Sequence, residues 1–190
     1  MGVTEARLMT VEEWTALDED EPGELVAGRL VEEEVPEFVH EVIVGWFVRT
    51  LGNWLAPRGG FVVPSEAKYV MGPTHGRKPD ASVWFPGRRP PSRGPIRQPP
   101  DVAIEVVSAT PGDARRDRVD KMQEYAEFGV RYYWILDPGE RTLEMYELGP
   151  DHRYVRALGA SDEVLSAVPG CEGLALDLAA LWAEVDRLET

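Results

Sequence analysis

Residues Asp101–Pro138 read DVAIEVVSATPGDARRDRVDKMQEYAEFGVRYYWILDP. VAIEVV (Val102–Val107) is an apolar run of the buried-strand type, and YYWIL repeats that texture thirty residues later. Between them, the charged and apolar residues from Ala114 to Phe128 recur at helical spacing, with Gly129 placed to end the helix and Asp113 to cap its start. This strand–helix–strand unit sets the fold class. TLEMYEL (Thr142–Leu148) follows as a hairpin partner across Gly139-Glu140, and a further strand is expected near Arg153–Leu158.

Upstream, Thr10 and Glu13 form a capping box for a helix over Val11–Leu17. ELVAGRLVEEEV (Glu24–Val35) reads as a hairpin turning at Ala27-Gly28. Apolar residues recur helically from Glu37 to Ala56 and surround that helix nearly completely, so it belongs in the centre of the molecule or against a second copy. Strands are expected over Phe61–Val70 and Pro79–Phe85, and a last helix over Leu176–Leu188. Helices alternate with strands while hairpins intrude, which specifies a mixed-sheet α/β (α+β) domain. A chain of 190 residues suits a single domain, 1–190.

Composition narrows the function. The formal charge is −14, which disfavours a general nucleic-acid coat or adsorption to anionic membrane. With one cysteine, Cys171, there is neither an internal disulfide nor a thiolate metal cage, and His40, His75 and His152 lack zinc-type spacing. No apolar stretch approaches membrane-span length and no signal region opens the chain, so a cytoplasmic location is expected. The charge is unevenly spread. Residues 77–121 hold ten of the twenty basic side chains and six of the thirty-four acids. Within that window, PGRRPPSRGPIRQPP (Pro86–Pro100) contains six prolines, four arginines and no acid, and reads as an exposed loop between two strands.

Glu105 is the anomaly. It interrupts VAIEVV on the side of Ala103 and Val107, where an ionised carboxylate is costly unless paired or bound to a cation. Taken alone it equally suits an internal ion pair with an arginine. Asp80 opens the preceding strand after Pro79; alone it suits a strand-start aspartate. If the two strands are neighbours, both carboxylates converge. With a strand carbonyl such as that of Val106, they make a hard oxygen site suited to Mg²⁺ or Mn²⁺.

Lys121 is one of only three lysines among the twenty basic residues. Counted from the intervening turn, it lies about 10–12 Å along the helix, similar to the depth of Glu105 in the sheet. An ammonium there can reach the carboxylates. Pairing with Asp117, Glu124 and Tyr125 on a solvated helix face explains the same residue more plainly.

The order of these motifs carries a resemblance: Pro79-Asp80, then Glu105-Val106-Val107-Ser108, then the helix DxxxKxxxY from Asp117 to Tyr125, then GVRYYWILDP. MTVEEWTAL, GELVAGRLVEE and PGCEGLALDL add to it. The chain resembles the Uma-type restriction endonucleases within the PD-(D/E)xK nuclease superfamily. The resemblance implies a restriction-endonuclease-like fold, a mixed central β-sheet flanked by helices, with Asp80 and Glu105 as the metal-binding acids. Val107 stands where that motif's lysine belongs, and Lys121 would be its migrated replacement. Glu24, His40 and Tyr125 are accessory candidates, with structural roles the plainer reading for Glu24 and His40. The implied activity is Mg²⁺-dependent hydrolysis of DNA phosphodiesters, with Arg115, Arg116, Arg118 and the loop arginines as phosphate contacts. Two alternatives stay open: an inactive nuclease-like binding or scaffold module, and a hydrolase of another phosphate ester. A homodimer would suit both the apolar central helix and cleavage of two strands.

Overall fold

The computed structural model describes residues 7–18, 23–31, 36–108 and 115–188. Strands β7 (Val102–Val106) and β8 (Tyr132–Asp137) lie side by side and parallel, with Glu105 level with Ile135. They form the centre of a six-stranded sheet. Strands β9 (Thr142–Leu148) and β10 (Tyr154–Ala160) extend it beyond β8; β6 (Ala81–Trp84) and β3 (Phe61–Pro64) extend it beyond β7. Every pairing but β7–β8 is antiparallel. Both central strands are buried on both faces, which is why their sequences lack polar alternation.

One face of this sheet carries Ala81, Val83, Ile104, Trp134 and Leu136 against α2 (Phe38–Leu55) and α4 (Leu178–Asp186). Ile43, Phe47, Leu51 and Leu55 of α2 are buried there, and Val39, Val48 and Trp54 pack at the margin. The chain itself thus covers most of the apolar surface of its central helix. The opposite face carries Ala103, Tyr133 and Ile135 against α3 (Met122–Phe128), which ends at Gly129 in the left-handed conformation (φ 92°). A smaller antiparallel sheet lies beside α3: β1 (Glu24–Val26), β2 (Arg29–Val31), β5 (His75–Arg77) and β4 (Tyr69–Gly72), in the order β2-β1-β5-β4. Helix α1 (Val11–Thr15), with the expected Thr10–Glu13 capping box, seats Trp14 on it. A Cβ at Gly76 would fall 2.2 Å from the Trp14 ring, so the indole lies directly on glycine backbone. Strands β11 (Val164–Leu165) and β12 (Leu176–Asp177) form a short separate pair.

Three sequence expectations change. The strand over Phe61–Val70 is two strands in different sheets, broken after Pro64 by a turn with Glu66 at φ 80°. The last helix begins two residues late, because Leu176 and Asp177 pair with β11 and the Asp177 carboxylate caps the Ala180 amide at 2.9 Å. Ahead of α3, residues Arg116–Lys121 wind as a π-helix rather than an α-helix. The proposed N-cap, Asp113, lies outside the described residues. No helix among the described residues is long and apolar enough to cross a membrane.

The basic loop lies between β6 and β7 as expected, but it is pinned. Ile96 is buried in a parallel bridge to Tyr69, and Arg88 stacks over Trp84 and pairs with Asp101 at 3.0 Å. Arg89, Arg93 and Arg97 stay exposed.

Candidate functional site

The register of β6 on β7 creates the site. Ala81 pairs with Ile104, so the next step outward sets Asp80 opposite Glu105. β6 ends there, and the next amide facing it from β7, that of Val106, has no backbone acceptor. Asp80 supplies one: Val106 N–H donates to Asp80 Oδ2 at 2.7 Å. His40, buried in the first turn of α2, places Nε2 3.2 Å from the same oxygen.

Glu105 projects to the α3 face. Its Oε2 accepts from Lys121 Nζ at 2.8 Å and its Oε1 from the Tyr125 hydroxyl at 2.7 Å. Lys121 is the last π-helical residue and is only 4 % exposed, which excludes the solvated-face reading. Its ammonium also lies 3.4 Å from Asp117 and 3.8 Å from Glu24, so one cation faces three acids. The i,i+4 pair with Asp117 is real, but it is buried and belongs to the site. The Asp117 carbonyl accepts from Tyr133 on β8, which ties the π-helical turn to the sheet.

Glu24 enters from the smaller sheet. It accepts from Arg77 at 2.6 Å and from the Lys78 amide at 2.8 Å. Arg77, also 1 % exposed, uses its other two nitrogens on Glu124 of α3 at 2.6 and 3.0 Å. That guanidinium bolts the smaller sheet to the helix carrying Lys121 and Tyr125.

Electrostatics differ sharply among these acids. Burial, then the nearby charges of Asp80, Asp117 and Glu24, hold the Glu105 carboxyl well above the usual range against the pull of Lys121. Burial likewise raises Asp117. Glu24 is buried too, yet Lys121, Arg77 and the Lys78 amide outweigh desolvation and hold it low. For His40, burial opposes the charged ring, but Asp80 and Glu41 prevail and raise it. Burial, reinforced by Glu105, raises the Tyr125 phenol far above its ordinary value, keeping it a neutral donor.

Asp80, Glu105, Val106, Lys121, Glu24, His40 and Tyr125 therefore form one connected cluster. Arg77 and Glu124 complete its frame, and sequence reasoning gave Arg77 no individual role. Its signal was faint, a three-residue strand in a segment otherwise notable for net charge. Among the described residues, no three His, Cys, Asp or Glu side chains gather as a ready-made metal cage. The oxygens that could hold an ion are instead those of two carboxylates, Asp80 and Glu105, and a backbone carbonyl. An extended residue directs its N–H and C=O to the same flank, so the Val106 carbonyl faces the Asp80 side. Hard oxygens carrying surplus negative charge fit Mg²⁺ or Mn²⁺. Of the arginines expected to contact phosphate, Arg118 is committed to Asp137 at 3.0 Å and Glu144 at 3.5 Å.

Comparison with known proteins relates the chain to a family and to a solved structure. The family model Uma2, described as "Putative restriction endonuclease", matches residues 10–179. A crystal structure from Anabaena variabilis, described as a "putative nuclease belonging to DUF820", superposes with a TM-score of 0.73 at 22 % identity, covering 93 % of this chain and 99 % of that one. That likeness establishes the fold. No match was found among curated proteins.

Proposed function

The chain belongs to the Uma2 family, and from that footing we propose that it is a metal-dependent endonuclease hydrolysing DNA phosphodiesters. One observation carries the reading: the strand register sets Asp80 opposite Glu105, with the Lys121 ammonium 2.8 Å from Glu105.

Asp80, Glu105 and the Val106 carbonyl would hold the ion. When bound, Mg²⁺ or Mn²⁺ supplies an acidified water and neutralises charge on the phosphate. Tyr125 and Lys121 fix the two oxygens of Glu105, so that carboxylate is preorganised. Lys121 presents a compact ammonium that would orient the attacking water or stabilise the negative charge on the phosphoryl oxygens. Glu24, fixed by Arg77, is an accessory acid that keeps Lys121 charged and in place. The exposed loop arginines contribute sequence-independent phosphate contacts, offsetting an acidic body.

Nicking of supercoiled plasmid tests this. The protein should cleave with Mg²⁺ or Mn²⁺ and stop with EDTA, and Asp80→Asn and Glu105→Gln should each abolish cleavage. Cleavage surviving both substitutions would refute the assignment. RNA and nucleotide substrates assayed alongside separate a DNA nuclease from a hydrolase of another phosphate ester.

A further inference from the structure

His40 has no evident structural duty. It does not cap α2, whose N-cap residue is Glu37, and its Nε2 meets Asp80. The side chain is 10 % exposed, and Nδ1 is buried with no hydrogen-bond partner, its charge contact being Glu41 Oε1 at 3.6 Å. An orphaned buried nitrogen costs free energy that an apolar residue would avoid. The hydrogen-bonding contact of the ring is therefore the one made by its other nitrogen.

That nitrogen meets Asp80 Oδ2, the oxygen already engaged by the Val106 amide. Both contacts fall on one oxygen, and Oδ1 makes no hydrogen bond or ion pair among the described residues. The Asp80 side chain is 20 % exposed, so it remains open on one side. A carboxylate held by one oxygen from two directions cannot rotate, and its second oxygen has a fixed direction.

We propose that His40 is a positioning residue, holding Oδ2 of Asp80 together with the Val106 amide so that Oδ1 alone faces the metal ion. This deepens the metal-site reading and rests on it. It assigns the coordinating atom, and it ties the start of α2 on one face of the sheet to a ligand at the edge of the other. The arrangement is the outer-shell support that commonly sets metal affinity.

The test is Mn²⁺ binding to the full chain without substrate, followed by the electron paramagnetic resonance signal of free Mn²⁺. His40→Ala should weaken binding by about 10- to 100-fold. His40→Gln, which carries an amide N–H at the reach of Nε2, should recover most of that loss, whereas His40→Asn, whose amide reaches only as far as Nδ1, should not. Thermal melts of all three establish that they fold. Asp80→Asn serves as the reference for loss of the ligand itself. If Asp80→Asn loses Mn²⁺ while His40→Ala binds like wild type, the metal site stands and the role of His40 is refuted. Equal affinities for the Gln and Asn variants also refute it. Wild-type protein that binds no Mn²⁺ overturns the metal site and this inference together.

Discussion

Replacing Arg77 with alanine should be among the most damaging single changes outside the hydrophobic core. The guanidinium is 1 % exposed and makes three contacts of 2.6–3.0 Å to Glu24 and Glu124. Glu124 keeps some solvent, its side chain being 19 % exposed, but Glu24 at 1 % has none. Truncation would leave the Glu24 carboxylate buried with only the Lys78 amide and a more distant Lys121. Breaking a buried pair from one side costs about 3–5 kcal/mol. Unfolding entropy near 2.1 cal/mol/K per residue amounts to about 0.4 kcal/mol/K for a chain of this length, so Tm should fall by about 8–12 °C. Urea denaturation gives the free energy and calorimetry the Tm. Arg77→Lys should recover only part of the loss, because one ammonium cannot reproduce a planar fork spanning two carboxylates. Arg77→Met combined with Glu24→Gln should be milder than Arg77→Ala alone, since the fully buried carboxylate is gone and only the part-exposed Glu124 loses its partner. A loss below about 1 kcal/mol for Arg77→Ala would refute the idea that this ion pair joins the smaller sheet to α3.

Two further outcomes follow from the same physics. Because Glu105 titrates above its unfolded value, its contribution to stability is complete below the unfolded pKa and is lost as pH rises through the folded one. In EDTA, Glu105→Gln should therefore flatten the decline in Tm above mildly acidic pH and match or exceed wild type at pH 8; a clear drop in Tm there would contradict the account. Cys171 is 1 % exposed and burial pushes its thiol up to about 12, so it should resist a thiol-disulfide reagent in the native protein at pH 8 and react fully in denaturant. Rapid labelling of folded protein would show that this part of the core is open.

Much of the fold was legible because its central strands are long and buried on both faces. VAIEVV and YYWIL announce themselves by apolarity, and the single carboxylate interrupting the first marks the site. The depth count that placed Lys121 level with Glu105 needed only the rises of a strand and a helix, and the 2.8 Å contact meets it even though the turn carrying Lys121 is π-helical. The smaller sheet was only partly legible. A hairpin over Glu24–Val35 was expected; its residues 32–35 lie outside the described residues, and over Glu24–Val31 the turn falls at Ala27 and Gly28, both at positive φ. Strands β4 and β5, however, are three or four residues long, too short for periodicity to identify them. The break after Pro64 was hidden because Glu66 adopts a left-handed conformation unusual for glutamate. Arg77 was invisible for a related reason: its importance comes from two acids 53 and 47 residues away, a relation no local pattern encodes. His40 was placed beside the site, but its aim at one particular oxygen of Asp80 depends on where β6 stops.

The most direct test of the account is a crystal structure with Mn²⁺ soaked in, read by anomalous diffraction. A peak about 2.0–2.2 Å from Asp80 Oδ1, a Glu105 carboxylate oxygen and the Val106 carbonyl is the predicted result. No peak there at saturating Mn²⁺, with Glu105 still held by Lys121 and Tyr125, would contradict it.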